Sequence, residues 1–129
     1  MRIDHIAVWV DDLEIMRKFY QTYFDATCGE KYRNDKKNYT SYFLTFGEGG
    51  CRIELMHRPD ISDAPLCRGR QKGWAHLALS VGNRKSVDVL TNRLREDGYQ
   101  IESAPRITGD GYYESIVLDP ENNPVEITE

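Results

Sequence analysis

His5-Ile6-Ala7-Val8-Trp9-Val10 returns 71 positions later as His76-Leu77-Ala78-Leu79-Ser80-Val81. Arg52-Ile53-Glu54-Leu55 likewise returns as Pro124-Val125-Glu126-Ile127, its glutamate 72 positions further on. From histidine to glutamate the gap is 49 residues in the first half and 50 in the second. One such match is cheap, but matched pairs at matched spacing are not. Self-similarity at a fixed offset marks a repeated structural unit, so the chain reads as two homologous halves.

Working outward from each histidine, the same order of elements recurs. In 5–10 the apolar Ile6, Val8 and Val10 alternate with His5, Ala7 and Trp9, as a half-buried strand requires. Asp11 or Asp12 can cap the helix that follows, and Ile15, Met16, Phe19, Tyr20 and Tyr23 form its apolar stripe. In the second half Leu77, Leu79 and Val81 face inward. Asn83 caps the next helix, Val87, Leu90 and Leu94 make its stripe, and Gly98 ends it. Strands are expected near 26–33, 39–46 and 51–57, with Gly47-Glu48-Gly49-Gly50 as a hairpin turn. They are expected again near 100–107, 112–118 and 124–128, with Asp119-Pro120-Glu121-Asn122-Asn123 as the turn. Residues 59–72 show no periodicity. The expected organisation is one domain: module 1 at about 1–58, a linker at about 59–72, and module 2 at about 73–129.

The chemistry falls on the polar side of these strands. Alternation puts Glu54 opposite Ile53 and Leu55, and Glu126 opposite Val125 and Ile127. His5 lies opposite Ile6, and His76 opposite Leu77. With the apolar faces packed on the helices, His5, Glu54, His76 and Glu126 would line one concave surface as metal ligands. Burying those carboxylates without a counter-charge costs several kcal/mol or forces protonation, and a divalent cation removes that cost. Imidazole and carboxylate without thiolate suit Ni²⁺, Co²⁺, Zn²⁺, Mn²⁺ or Fe²⁺. Four ligands leave coordination positions open for substrate. His57, on the opposite face from Glu54, reads as structural, and Cys28 and Cys51 as small packed hydrophobes. Trp9, Tyr42, Trp74 and Tyr113 are candidate pocket walls, although strand aromatics are more often core. Arg68, Arg70 and Lys72 read as a solvated linker.

Composition narrows the field. Seventeen Lys and Arg against 21 Asp and Glu in 129 residues give a net charge of −4. With no basic run, nucleic acid and anionic membrane surfaces are poor partners. No apolar stretch approaches the roughly 18 residues that span a bilayer. The first residues, MRIDHIAVWVDD, lack the form of a signal peptide. Three cysteines are too few for a disulfide framework. A cytoplasmic domain is expected.

With its ligand set placed, the chain resembles the vicinal oxygen chelate superfamily, and within it the glyoxalase I-like (lactoylglutathione lyase-like) branch. The resemblance spans essentially all 129 residues. Its carriers are DHIAVWVDDLEIMRKFY, CRIELM around Glu54, GWAHLALSV around His76, and LDPENNPVEIT around Glu126. It implies an α+β fold of paired βαβββ modules whose curved sheets enclose a metal cup. It further implies a homodimer, in which sites can draw ligands from two subunits. The implied reaction converts the hemithioacetal of an α-oxoaldehyde and a thiol, methylglyoxal and glutathione, to the S-2-hydroxyacyl thiol through an enediolate. One divalent ion per site (Ni, Co, Zn or Mn) would act as Lewis acid. Glu126 would be the main base, with Glu54 able to serve the opposite face of the substrate. The substrate side is different from glyoxalase I proper: Ala7-Val8-Trp9-Val10 and Leu55-Met56-His57-Arg58 lack its glutathione-contacting arginine and asparagine. Alternatives are an epimerase-like or dioxygenase-like metalloenzyme of the superfamily, or a non-catalytic drug-sequestering member. The epimerase branch usually carries glutamine where Glu54 stands.

Overall fold

The computed structural model describes residues 3–62, 68–70 and 72–129. The chain divides into two compact units, Met1–Pro65 and Leu66–Glu129. Each has one helix laid on one face of a sheet, an α+β arrangement.

The first unit runs β1 (His5–Trp9), α1 (Leu13–Phe24), β2 (Thr27–Cys28), β3 (Tyr32–Asn34), a short 3₁₀ turn, β4 (Tyr39–Thr45) and β5 (Arg52–His57). Among the described residues these strands form one sheet in the order β1-β5-β4-β2, with β3 also paired to β4. β1 and β5 are parallel, which sets Ala7 against Glu54 and His5 against Arg52. Asp12 starts α1 by accepting the amides of Glu14 and Ile15 at 2.9 and 3.0 Å. Leu13, Met16, Phe19 and Tyr20 are buried against Leu44, Ile53 and Leu55. Ile15, expected in the stripe, is exposed; Leu13 takes the inward position one turn before Met16. The expected strand near 26–33 is instead two short pieces, separated by a non-strand stretch at 29–31.

The second unit runs β6 (Leu77–Ser80), α2 (Arg84–Glu96), β7 (Ile101–Ile107), β8 (Tyr113–Leu118) and β9 (Pro124–Thr128), with sheet order β6-β9-β8-β7. The parallel pair β6 and β9 sets Ala78 against Glu126, repeating the Ala7–Glu54 register of the first unit. Asn83 caps α2 through the Ser86 amide at 2.9 Å. Val87, Thr91 and Leu94 bury against Ser115, Val117, Val125 and Ile127, and the Thr91 and Ser115 hydroxyls meet at 2.6 Å inside that core. Among the described residues no helix is long and apolar enough to cross a membrane.

The turn into β9 is held by one buried carboxylate. Asp119 Oδ1 accepts the amides of Glu121 and Asn123, both at 2.9 Å, and its Oδ2 accepts the Asn123 side-chain amide at 2.8 Å. Asn122 takes the left-handed conformation at φ 64°, which Asn tolerates better than most residues. Arg68 donates to Asn123 Oδ1 at 2.9 Å, and Arg70 to Glu102 at 2.6 Å. Arg68 is thus drawn onto the second unit with its side chain 31% exposed, whereas Arg70 stays 71% exposed, as a solvated linker residue would. Gly69 allows the approach: at φ +78°, a Cβ there would fall 2.4 Å from the Ala75 carbonyl oxygen and 2.7 Å from Pro124 Cγ.

Candidate metal centre

In both units a histidine lies beside a glutamate of the sheet's helix-distant face. β1 places His5 at its first residue, and β5 carries Glu54 between the buried Ile53 and Leu55. His5 Nε2 stands 3.8 Å from Glu54 Oε2, with side-chain exposures of 40% and 14%. His76 immediately precedes β6 rather than lying in it. Its Nε2 stands 3.5 Å from Glu126 Oε2, with exposures of 43% and 15%. The same geometry is written twice, once per unit.

Two donors bound to one ion at about 2.1 Å, at tetrahedral to octahedral angles, lie about 3.0–3.4 Å apart. To share an ion the His76 pair would draw in by about 0.1–0.5 Å and the His5 pair by about 0.4–0.8 Å. Neutral imidazole nitrogen with carboxylate oxygen is a donor set for borderline divalent metals. Among the described residues no three His, Cys, Asp or Glu side chains are grouped closely enough to hold an ion.

Two residues beside the glutamates escaped sequence reasoning. Tyr39, on β4, donates its hydroxyl to Glu54 Oε1 at 2.7 Å. Burial raises this phenol above its ordinary range, and donation to Glu54 adds to the effect, so it stays a protonated donor. The Trp9 ring meets the Tyr39 ring edge-on at 6.2 Å. In the second unit Glu114, buried on β8, lies beside Glu126. Burial first and the Glu126 charge second push the Glu114 carboxyl up, while Arg106, 3.5 Å away, pulls it down. Period-2 alternation would have put Glu114 on the face of Glu126, and Tyr39 on the face of Glu54. Only the hairpin registers bring them into contact.

The other candidates separate cleanly. Tyr42 turns to the helix side and donates to Glu14 Oε1 at 2.9 Å, and Tyr113 does the same to Asp88 Oδ1 at 2.7 Å. Neither walls the polar face; Trp9 does, and Trp74 is exposed. His57 Nδ1 lies 3.0 Å from the Val10 carbonyl, a structural role. Cys28 is half-buried, but Cys51 is exposed rather than packed. Cys67 lies outside the described residues.

Asp4 and Glu14 are held as carboxylates. Hydrogen bonding to His5 and then to Arg52 lowers the Asp4 carboxyl. Lys31 and Arg17, with the Tyr42 hydroxyl, bring Glu14 down to about 2.

Comparisons with known proteins agree with this architecture. The chain is 30% identical over 106 residues to mitochondrial methylmalonyl-CoA epimerase of Bos taurus, a match covering 79% of this chain and 57% of that protein. The chain thus spans little more than half of that relative. An uncharacterised Bacillus subtilis protein is 24% identical over 126 residues, covering 95% and 94% of the two chains. Among solved structures, trypanothione-dependent glyoxalase I of Leishmania major superposes with a TM-score of 0.79 at 21% identity, covering 100% of this chain and 86% of that one. Glyoxalase I of Zea mays does so at 0.78 and 22%, covering 98% and 44%. At those identities the structural likeness speaks for the fold. The sequence profile of the Glyoxalase/Bleomycin resistance protein/Dioxygenase superfamily matches residues 2–127, nearly the whole chain. This chain belongs to that superfamily.

Proposed function

We propose that the chain is a divalent-metal-dependent enzyme that moves a proton between neighbouring carbons of a small oxygen-chelating substrate. The reaction best fitted to the residues is the glyoxalase I type, from a hemithioacetal of methylglyoxal to the S-2-hydroxyacyl thiol. His5 and Glu54 would join His76 and Glu126 around one Ni, Co, Zn or Mn ion, within a chain or between two copies of a homodimer. A divalent ion there supplies Lewis acidity toward a carbonyl oxygen, which eases loss of the adjacent proton.

The chain's own groups do the rest. Glu126 takes the proton from one carbon and returns it to the next. Positioned proton transfer of this kind contributes about 10²–10⁴-fold. Glu54, tied to Tyr39 on its other oxygen, is the ligand held in place. Trp9 offers an aromatic wall beside it. The observation that carries the reading is the histidine–glutamate pair found in both units, each glutamate set against an alanine of the parallel neighbouring strand.

A second reading is an epimerase that moves a proton beside a thioester carbonyl. The 30% identity to the bovine epimerase favours it, and the required proton chemistry is the same. The test is turnover by protein loaded with Ni²⁺, Co²⁺, Zn²⁺ or Mn²⁺. Methylglyoxal with glutathione or trypanothione, and separately methylmalonyl-CoA, are the substrates. Thioester formation abolished by Glu126→Gln supports the first reading. Epimerisation without it moves the assignment to the second. No turnover of any of these, in protein holding its ion, contradicts both.

A further inference from the structure

His5 sits in a clamp that His76 lacks. Asp4 Oδ2 lies 3.0 Å from His5 Nδ1, and the same oxygen accepts from Arg52 Nη2 at 2.5 Å. Arg52 is the register partner of His5 across β1 and β5, and its amide is bonded to the Asp4 carbonyl at 3.1 Å. Its guanidinium carbon rests 4.4 Å from the Phe43 ring centroid. Phe43 in turn meets the His5 ring edge-on, at 5.3 Å and 84°. The imidazole is thus fixed by a carboxylate on one nitrogen and an aromatic ring against its plane. Its other nitrogen, Nε2, faces Glu54.

An ionised carboxylate only accepts. Nδ1 of the neutral ring must therefore carry the proton, leaving the Nε2 lone pair bare on the side of Glu54. The second unit has none of these parts. Ala75 precedes His76, Pro124 stands where Arg52 does relative to its glutamate, and Ile116 pairs with Glu126 where Phe43 pairs with Glu54.

We propose that Asp4, itself held by Arg52, is a positioning residue that fixes the tautomer and orientation of His5, making the first unit the preorganised half of the metal site. This rests on the proposed metal-binding role. Carboxylates behind ligand histidines set the ring tautomer, and losing one typically costs 10–100-fold in metal affinity. Asp4 is about half exposed, so the low end applies here.

Two readouts test it. The first is the ¹⁵N NMR of the imidazoles in metal-free protein at pH 8, with His5 assigned against His5→Gln. The second is Co²⁺ affinity by calorimetry. His5 is expected almost wholly as the Nδ1–H tautomer. Asp4→Ala should introduce the other tautomer at His5, leave His76 unmoved, and weaken Co²⁺ about tenfold. Asp4→Asn, whose amide oxygen still accepts from Nδ1–H, should keep most of the affinity.

An Asp4→Ala protein with tautomer and affinity both unchanged would overturn the proposal. So would an affinity loss with the tautomer unmoved, since the carboxylate would then act by charge alone. A wild-type chain that binds no Co²⁺ contradicts the metal reading, while the tautomer of metal-free His5 still decides the role of Asp4.

Discussion

Glu54 and Glu126 occupy equivalent places, yet their neighbours are chemically opposed. Glu54 is met by a hydroxyl donor and Glu126 by a second carboxyl. Tyr39→Phe removes that donor while keeping the ring against Trp9, and should weaken Co²⁺ binding about tenfold, the usual scale for a group supporting a ligand. Calorimetry at one fixed pH checks it. Glu114 gives a stability prediction of the opposite kind. Its folded-state pKa is raised, so folding costs free energy above that value and recovers it as pH falls toward the ordinary carboxylate range. Glu114→Gln should therefore raise the melting temperature by a few degrees at pH 7, with the gain fading by about pH 4. A gain that persists at pH 4 would mean packing, not charge, is responsible.

At the scale of elements, α1 is tied to its sheet through Glu14, which collects Arg17, Lys31 and the Tyr42 hydroxyl at 2.7–3.0 Å. Its pKa is depressed to about 2, so this stabilisation is present above the ordinary value near 4.5 and is lost as pH falls through about 2. Half-exposed ion pairs contribute little individually. Glu14→Gln should lower the melting temperature by only about 2–5 °C at pH 7 and by nothing near pH 2. The Asp119 turn is a stronger joint. Asp119→Ala strips three hydrogen bonds from a part-buried turn and should cost about 1–3 kcal/mol in urea unfolding.

Much of this scale could be read directly from residues. Alternation around Ile53, Leu55, Val125 and Ile127 put both glutamates on the polar faces, and Asp12, Asn83 and Gly98 bounded the helices. What could not be read depends on registers between strands. Tyr39 reaches Glu54, and Tyr42 turns away, only because β4 pairs with β5 so that Phe43 faces Glu54. The anchoring of Arg68 could not be read because its partners, Asn123 and Glu121, lie more than 50 residues away in sequence.

For the whole molecule, the central proposal is that two half-sites, His5 with Glu54 and His76 with Glu126, complete one ion site. Each pair supplies only two ligands, so each half alone should hold a metal poorly. The direct measurement is a Co²⁺ titration of metal-free protein, comparing wild type with His5→Gln/Glu54→Gln and with His76→Gln/Glu126→Gln. One ion per chain in the wild type, with both double variants losing at least 100-fold in affinity, is the predicted result. Either double variant binding Co²⁺ as tightly as wild type would contradict the shared site.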